Sequence, residues 1–392
     1  MKLLYLISED WFFCSHFSER ALAAKAAGYE VVVMTHIDKH RGVIGDHFIR
    51  VIPLELDRRS ANPLRELGVV MQIWRAYRKE KPDIVHHVAL KPVLYGSIAA
   101  RLTGMRAVIN APVGMGYVFI SQSLKARFLR FFVAFGLKAL LNPRGSKVVF
   151  ENHDDCETLI AEGYVRQKDA VLIRGAGIDT DLFHPSPEAP GLPIVLLTAR
   201  MLWDKGVGEF VDAARRIRAQ GLKARFLLVG APDPFNRAAI DEGTLREWQR
   251  EGVIEWLGFR SDIRHLVGES AIVCLPSYRE GLPKSLLEAL ACGKPVVTTD
   301  VPGCREVVAD GVNGRLVPAR DAVALAGALT ELLASPEKRA QMGQAGRKRA
   351  ETEFAATRIV AETLALYQAL KPITPKSSAL RPDTPTSGAI NS

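Results

Sequence analysis

The sequence predicts an α/β protein of two doubly wound domains facing one another across a cleft. Three observations predict it. Short apolar runs alternate with amphipathic stretches along most of the 392 residues, the βαβα rhythm of an open parallel sheet with helices on both faces. At mid-chain a proline-rich segment, His184-Pro185-Ser186-Pro187-Glu188-Ala189-Pro190-Gly191-Leu192-Pro193, interrupts that rhythm and reads as a linker. The rhythm then restarts over a stretch of similar size. Ligands prefer the cleft between two such units.

The elements follow in order. Residues 2–7 are a short apolar run followed at once by Glu9 and Asp10, a first buried strand rather than a signal peptide. A helix over 15–27 stops at Gly28, and a strand over 31–35 comes next. Strand-like runs recur at 83–87, 107–110, 147–150 and 170–174. After the linker come a strand at 194–198, a helix at 209–220 and a strand at 224–229 ending in Gly230. Strands at 253–257, 271–275 and 295–299 continue the series, and a helical stretch runs from about 322 to 370. The expected division is a first domain over 1–185, a linker over 186–193 and a second domain over 194–351, with a helix at about 352–370 packing back on the first domain. Residues 372–392 are rich in Pro, Ser and Thr and poor in aromatics, a composition that predicts disorder.

Composition narrows the class. A hydrophobic content of 48% with 24% charged residues is that of a globular protein. No apolar run reaches the roughly 18–20 residues that span a bilayer. Five scattered cysteines with no C-x-x-C pair indicate neither a disulfide framework nor a zinc site, and a reducing, cytoplasmic setting is expected. The net charge of +9 is unevenly spread: residues 84–150 hold nine basic residues and no Asp or Glu. Such a local excess points to an anionic partner, whether lipid head groups, a diphosphate or nucleic acid, or else to a solvated basic face. Within it, residues 123–141 read SLKARFLRFFVAFGLKALL. On a helix, Leu124, Phe128, Phe131, Phe132 and Phe135 form one apolar face, and Leu129, Val133, Leu137 and Leu140 a second, with Arg127, Arg130 and Lys138 between. One face serves a core; the other suits an anionic membrane surface, a dimer contact or deeper burial.

The chemistry concentrates in residues 276–300, PSYREGLPKSLLEALACGKPVVTTD. Glu280 and Glu288 flank a loop, Gly281-Leu282-Pro283-Lys284, that turns into a helix between two strands. The unpaired first-turn N–H groups of such a helix form an anion site. Glutamates on both sides suit a ligand that carries phosphates and sugar hydroxyls; the plainer alternative is an i,i+4 pair of Glu288 with Lys284. Arg200 and Lys205 leave the strand at 194–198 at the ligand-binding edge of the same sheet. A fork-shaped Arg and a point-charge Lys together suit a diphosphate. Asp179-Thr180-Asp181 matches a D-x-D metal pattern, but its glycine-rich context reads as a turn. Gly114-Met115-Gly116 is a lone GxG.

Arg200-x4-Lys205, Trp256-Leu257-Gly258, Glu280-x7-Glu288, Pro302-Gly303 and Asp310-Gly311-x-Asn313-Gly314 together resemble the retaining glycosyltransferases of family 4, which have the GT-B fold of two Rossmann-like domains. The first half is similar to the branch that glycosylates polyprenyl-diphosphate-linked precursors of surface polysaccharides. The segments are Glu9-Asp10-Trp11 with Ser15-His16, Lys91-Pro92-x2-Tyr95-Gly96, Gly114-x-Gly116-Tyr117 and Asn152-x-Asp154-Asp155. The resemblance implies a metal-independent hexosyltransferase with no cofactor, a UDP-sugar as co-substrate and a lipid-diphosphate-linked saccharide as acceptor. Arg200 and Lys205 would grip the donor diphosphate, Glu288 the ribose and Glu280 the transferred sugar. The backbone at Phe259 and Arg260 would meet the base, and Gly281, Leu282, Pro283 and Lys284 the phosphates and sugar. His16, Lys91, Gly114, Gly116 and Tyr117 fall on the acceptor side. The chain departs from the family in two loops. Ser8-Glu9-Asp10-Trp11 stands where many members have glycines, and Val113 stands where many have a histidine, so His87 or His86 is the candidate substitute. The expected enzyme works on the inner face of the membrane, bound through 123–141, with no nucleic acid partner. Rival readings are a transferase for a soluble acceptor, a GT-B epimerase, and a basic binding protein for lipid or nucleic acid.

Overall fold

The computed structural model describes residues 1–370 apart from 48, 58–59, 61, 114–135 and 235. The first domain holds β1 (Lys2–Glu9), β2 (Glu30–His36), β3 (Arg50–Pro53), β4 (Ile84–Val88), β5 (Val108–Ala111), β6 (Lys147–Phe150) and β7 (Ala170–Leu172). They form a parallel sheet in the order β3-β2-β1-β4-β5-β6-β7. The second holds β8 (Ile194–Thr198), β9 (Arg225–Val229), β10 (Glu255–Trp256), β11 (Ile272–Leu275), β12 (Val296–Thr299) and β13 (Gly314–Val317). Its order is β10-β9-β8-β11-β12-β13, again parallel. Both are doubly wound, as the alternation of apolar runs predicts. The central strands β8 and β11 are buried throughout, which is why they read as continuous apolar runs rather than alternating ones. Each sheet reverses its winding at one place, between β1 and β4 and between β8 and β11. There the loops at the carboxyl ends of the strands diverge and leave a crevice.

Elements without a strong apolar run escaped the sequence reading. Both β3 and β13 are four-residue edge strands, RVIP and GRLV. The helix Pro63–Glu80 is announced by Asn62, whose side chain accepts from Leu64 N, and by Pro63 in its first turn. The expected single stretch to residue 370 is three helices, Ala322–Leu333, Pro336–Glu353 and Ala356–Ala369. Pro336, which cannot continue a helix but can start one, marks the first break.

The last helix lies on the first domain. Ile359, Leu366 and Tyr367 join a core with Leu3, Tyr5 and Ile7. The Tyr367 hydroxyl lies 2.7 Å from the Tyr5 hydroxyl and 2.9 Å from His86 Nδ1. The proline-rich segment is fastened to the second domain: Lys294 Nζ donates to Ser186 O at 2.8 Å, and Arg339 pairs with Glu188 at 2.9 Å. Gly114, Gly116, Tyr117, most of 123–141 and the tail 372–392 lie outside the described residues. Within 136–141, Leu137 and Leu141 are buried against Val93, Val148 and Phe150, the core side of that stretch, while Lys138 is exposed.

Candidate active site

The loops after β8 and β11 meet at the edge of the second sheet. Ser277 Oγ and Tyr278 N both donate to Asp204 O, at 3.1 and 2.9 Å. The approach is close enough that a Cβ on Gly206 would stand 2.0 Å from Pro276 O, and Gly206 has φ +71°; only glycine fits. Gly303 serves the third loop in the same way, where a Cβ would stand 2.5 Å from Glu280 O and Gly281 O. The result is that Lys205 Nζ donates to Glu280 Oε1 at 2.5 Å. The helix Lys284–Ala291 begins beside them with Pro283 as its N-cap and no side-chain cap; Leu286 N and Leu287 N donate to Pro283 O, which leaves the amides of Lys284 and Ser285 to face an anion. Arg200 points instead toward the loop after β9, pairing with Asp233 at 2.7 Å. Trp256 Nε1 donates to Gly230 O at 2.9 Å and Gly230 N to Gly258 O at 2.8 Å, which presents Phe259 next to that loop.

A cavity of about 1540 Å³ opens between the domains. Arg200, Phe259, Arg260, Ser285 and Glu288 line one wall, and Glu9, Trp11, Asp38 and Glu66 are among the residues of the other. Phe259 is 80% exposed, a free apolar surface for a planar group, while Arg260 is tied to Asp262 at 2.5 Å. Glu288 is half-buried, and burial pushes its carboxyl up to about 7, with the Lys284 charge opposing. Lys205, Glu280 and the Gly281–Leu282–Pro283–Lys284 loop are not part of this cavity lining; they lie where the two domains touch.

Those contacts explain one motif of the first half. Asn152 caps the helix His153–Ala161 and also donates from Nδ2 to Gly281 O at 2.8 Å. Asp155 pairs with Arg279, Asp154 with Arg305 at 3.2 Å, and Glu306 with His153 and Arg174 at 2.9 and 2.7 Å. Lys284 Nζ reaches Ser15 O at 3.2 Å. Asn152-x-Asp154-Asp155 therefore belongs to the contact that joins the domains. Asp10 holds the other side of the cleft. Its side chain accepts from Trp11, Asp38 and His40 N at 2.7, 2.9 and 2.9 Å. Burial works against its charge, but those amides prevail and lower the pKa.

Two expectations are corrected. His87 does not reach the cleft. Its ring is fully buried, Nδ1 lies 2.7 Å from Asn110 Oδ1 and Nε2 2.8 Å from the Tyr77 hydroxyl. Burial pulls its pKa down to about 4, and a Cβ on Gly96 would stand 2.6 Å from the ring. With both nitrogens engaged, His87 is a core group. Lys91 is equally committed: its three ammonium donors go to Asp57 O, Ser60 O and Glu66 Oε1 at 2.8, 2.7 and 2.8 Å. It ties down the loop before the helix Pro63–Glu80 together with Tyr95, which donates to Glu66 Oε2 at 2.5 Å. His16 does lie at the domain contact, stacked on Phe12 at 4.2 Å. Asp179 Oδ1 accepts from Asp181 N and Leu182 N at 2.9 and 2.8 Å, an Asx turn rather than a ligand pair. Among the described residues no group of three or more His, Cys, Asp and Glu is placed to hold a metal. The sequence reading overlooked Glu151, whose Oε2 lies 2.4 Å from where a Cβ on Gly281 would stand. Glu151 directly follows β6, and the carboxyl end of a parallel strand was the available signal.

Two parallel α/β domains with their switch points facing one cleft define the GT-B architecture. Comparison with known proteins agrees. Residues 2–147 match the model "Glycosyl transferase 4-like" and residues 179–349 the model "Glycosyl transferases group 1". The N,N'-diacetylbacillosaminyl-diphospho-undecaprenol alpha-1,3-N-acetylgalactosaminyltransferase of Campylobacter jejuni is 30% identical over 80% of this chain and 85% of its own. The UDP-Gal:alpha-D-GlcNAc-diphosphoundecaprenol alpha-1,3-galactosyltransferase of Escherichia coli is 24% identical over 67% of this chain and 69% of its own. The solved sucrose-phosphate synthase of Thermosynechococcus elongatus superposes with a TM-score of 0.77 at 23% identity, over 94% of this chain and 99% of that one. HepE of Anabaena in complex with UDP gives 0.74 at 20%, over 94% and 100%. The chain belongs to the family 4 glycosyltransferases.

Proposed function

We propose that this enzyme transfers a hexose or N-acetylhexosamine, with retention, from a UDP-sugar to a polyprenyl-diphosphate-linked saccharide in surface polysaccharide biosynthesis. The carrying observation is the 30% identical relative that matches 80% of the chain, whose name states such an acceptor. The site supports the reading through its layout. Phe259 suits the base, and Glu288, whose carboxylate makes no hydrogen bond or ion pair with a described residue, suits the two hydroxyls of a ribose. Arg200, Lys205 and the N-terminus of Lys284–Ala291 suit the diphosphate.

Catalysis then rests on charge. The bond from the anomeric carbon to the diphosphate oxygen breaks while the acceptor oxygen bonds to the same face. Lys205 and the helix amides stabilise the leaving diphosphate. Donor binding draws Lys205 partly from Glu280, which frees a Glu280 oxygen for the sugar. The acceptor hydroxyl passes its proton to a donor phosphate oxygen, so no side-chain base is needed. The enzyme works at the inner face of the membrane, held there through 123–141.

The test is a screen of UDP-hexoses and UDP-N-acetylhexosamines against polyprenyl-diphosphate-linked mono- and disaccharides, read by mass spectrometry, with the anomeric configuration read by NMR. Expected is one extracted lipid product with the donor's configuration. Transfer only to soluble acceptors, or an inverted product, rejects the reading.

A further inference from the structure

The helix Pro63–Glu80 carries apolar residues on the side that faces away from its own core. Val69, Ile73 and Tyr77 are buried against the sheet. Leu64, Leu67 and Met71 lie on the outer side at 80%, 59% and 38% exposure. Trp74 and Arg78 continue the same stripe within about 80° of arc. The helix has 18 residues and so runs about 27 Å. Its first half borders the cleft, which Arg65 and Gly68 help to line. Its last turn ends at a separate cavity of about 470 Å³, where Trp74, Arg78 and Lys81 meet Leu102 and Met105. The Arg78 guanidinium lies over the Trp74 ring at 5.0 Å, and Leu102 is 64% exposed.

The charge around this stripe has one sign. Arg75, Arg78, Lys79, Lys81, Arg101 and Arg106 are exposed, and none makes a side-chain hydrogen bond or ion pair with a described residue. The acids nearest in sequence are already held: Glu66 by Lys91 and Tyr95, Glu80 by Lys2 and Arg50, and Asp83 by the Lys2 amide. One exposed leucine needs no explanation, but an aligned apolar row does. Charge decides what covers it. A second copy of the chain, meeting face to face, would set these cations against themselves. A nucleic acid would satisfy the cations and leave the leucines in water. An anionic lipid surface takes both, with the apolar side chains among the acyl chains and the cations at the phosphates. The helix Leu90–Thr103 packs beside this one through Ala99 and Ala100, and on Leu137 and Leu141 through Val93. The stripe and the end of the 123–141 segment therefore share one side of the sheet.

We propose that the outer face of the helix Pro63–Glu80 is a second membrane contact, with Leu64, Leu67 and Met71 inserted at the boundary of an anionic bilayer and the cavity at Arg78 and Lys81 taking a phospholipid headgroup. The proposal rests on the reading of a membrane-bound enzyme and adds to it a site separate from 123–141. Two weak contacts in one chain bind as a unit, so loss of either weakens binding sharply. The contact also sets orientation. A bilayer lying along the stripe meets the cleft at the Leu64 end, where an acceptor anchored by its lipid tail enters without leaving the membrane.

The test is sedimentation of the full chain with vesicles of phosphatidylcholine alone and of phosphatidylcholine and phosphatidylglycerol in equal parts. The wild type is expected on the second kind only. Leu67→Gln with Met71→Gln weakens its partition at least about tenfold, and Arg78→Gln with Lys81→Gln about thirtyfold. The same loss of charge at Lys223 and Arg250, exposed on the second domain, leaves partition within about twofold. The circular dichroism spectrum and the UDP affinity stay those of the wild type in every variant, since all six positions are exposed. Wild-type partition in both helix variants, or an equal fall in the Lys223 and Arg250 variant, overturns the proposal and leaves the contact at 123–141 standing. A dimer in solution that Leu67→Gln with Met71→Gln dissociates also overturns it, giving the face to a second copy. A wild type that binds neither kind of vesicle removes the membrane reading itself, and this contact with it.

Discussion

In the proposed donor site, Lys205 is the cation placed nearest the sugar side, through its bond to Glu280. It is 21% exposed, bound to Glu280 and held by a loop that needs Gly206. Lys205→Ala is expected to lower turnover by at least about a hundredfold with an unchanged circular dichroism spectrum; near-normal turnover would remove the donor assignment. Glu288 leads to a pH prediction. Burial raises its carboxyl to about 7 in the free protein, and the ionised form accepts hydroxyl donors best. Donor binding therefore favours loss of a proton: affinity weakens as pH falls through 7, and binding at pH 6 releases a proton, seen as a dependence of the heat on buffer. Glu288→Gln should abolish both effects. For folding the sign is opposite, since a carboxyl raised above its unfolded value costs stability as pH rises through the folded pKa. The residue types and spacing of Arg200, Lys205, Glu280 and Glu288 made these positions visible in the sequence. Glu151, beside Gly281, was not visible, because a single Glu after a strand carries no pattern of its own.

At the scale of elements, the helix Ala356–Ala369 is part of the first domain's core although it follows the whole second domain. Tyr367→Phe removes the hydroxyl shared by Tyr5 and His86 Nδ1. The variant should lose about 1–3 kcal/mol in urea unfolding, whereas a loss near zero would mean that water replaces the hydroxyl. The strands were legible wherever both faces are covered, as in β8 and β11, since full burial demands an unbroken apolar run. Of the four edge strands, β7 and β10 were legible but β3 and β13 were not, because RVIP and GRLV are four-residue runs broken by Arg, Pro or Gly. His87 misled for a related reason. A histidine at the carboxyl end of β4 has the position of a catalytic group, and only its neighbours Tyr77, Asn110 and Gly96 turn it inward.

For the whole molecule, the contact between domains is a set of polar pairs, Arg279 with Asp155, Arg305 with Asp154, His153 with Glu306 and Asn152 with Gly281 among them. Arg279→Ala removes the partner of Asp155. On the proposed reading, in which the nucleotide sits on one domain and chemistry needs both, it should lower kcat several-fold while leaving UDP affinity unchanged; a fall in UDP affinity would place Arg279 in the nucleotide site instead. The basic stretch predicts membrane docking. The full chain should float with anionic vesicles and not neutral ones, and Arg127→Glu with Arg130→Glu should abolish it; equal binding to both kinds of vesicle would reject the idea. Part of the acid-free segment's charge is spent inside the fold, since Lys91 pairs with Glu66 and Lys147 with Asp169.

The order of apolar runs was enough to specify two parallel, doubly wound sheets, because strand burial and crossover helices are written locally in hydrophobic period. It also placed Arg200, Lys205, Glu280 and Glu288 at one sheet edge, since parallel strands deliver their following loops to the same end. Which side chains meet across the cleft was decided only by the fold. Lys284 reaching Ser15 and Asn152 reaching Gly281 depend on how two rigid domains abut. No local period records that distance.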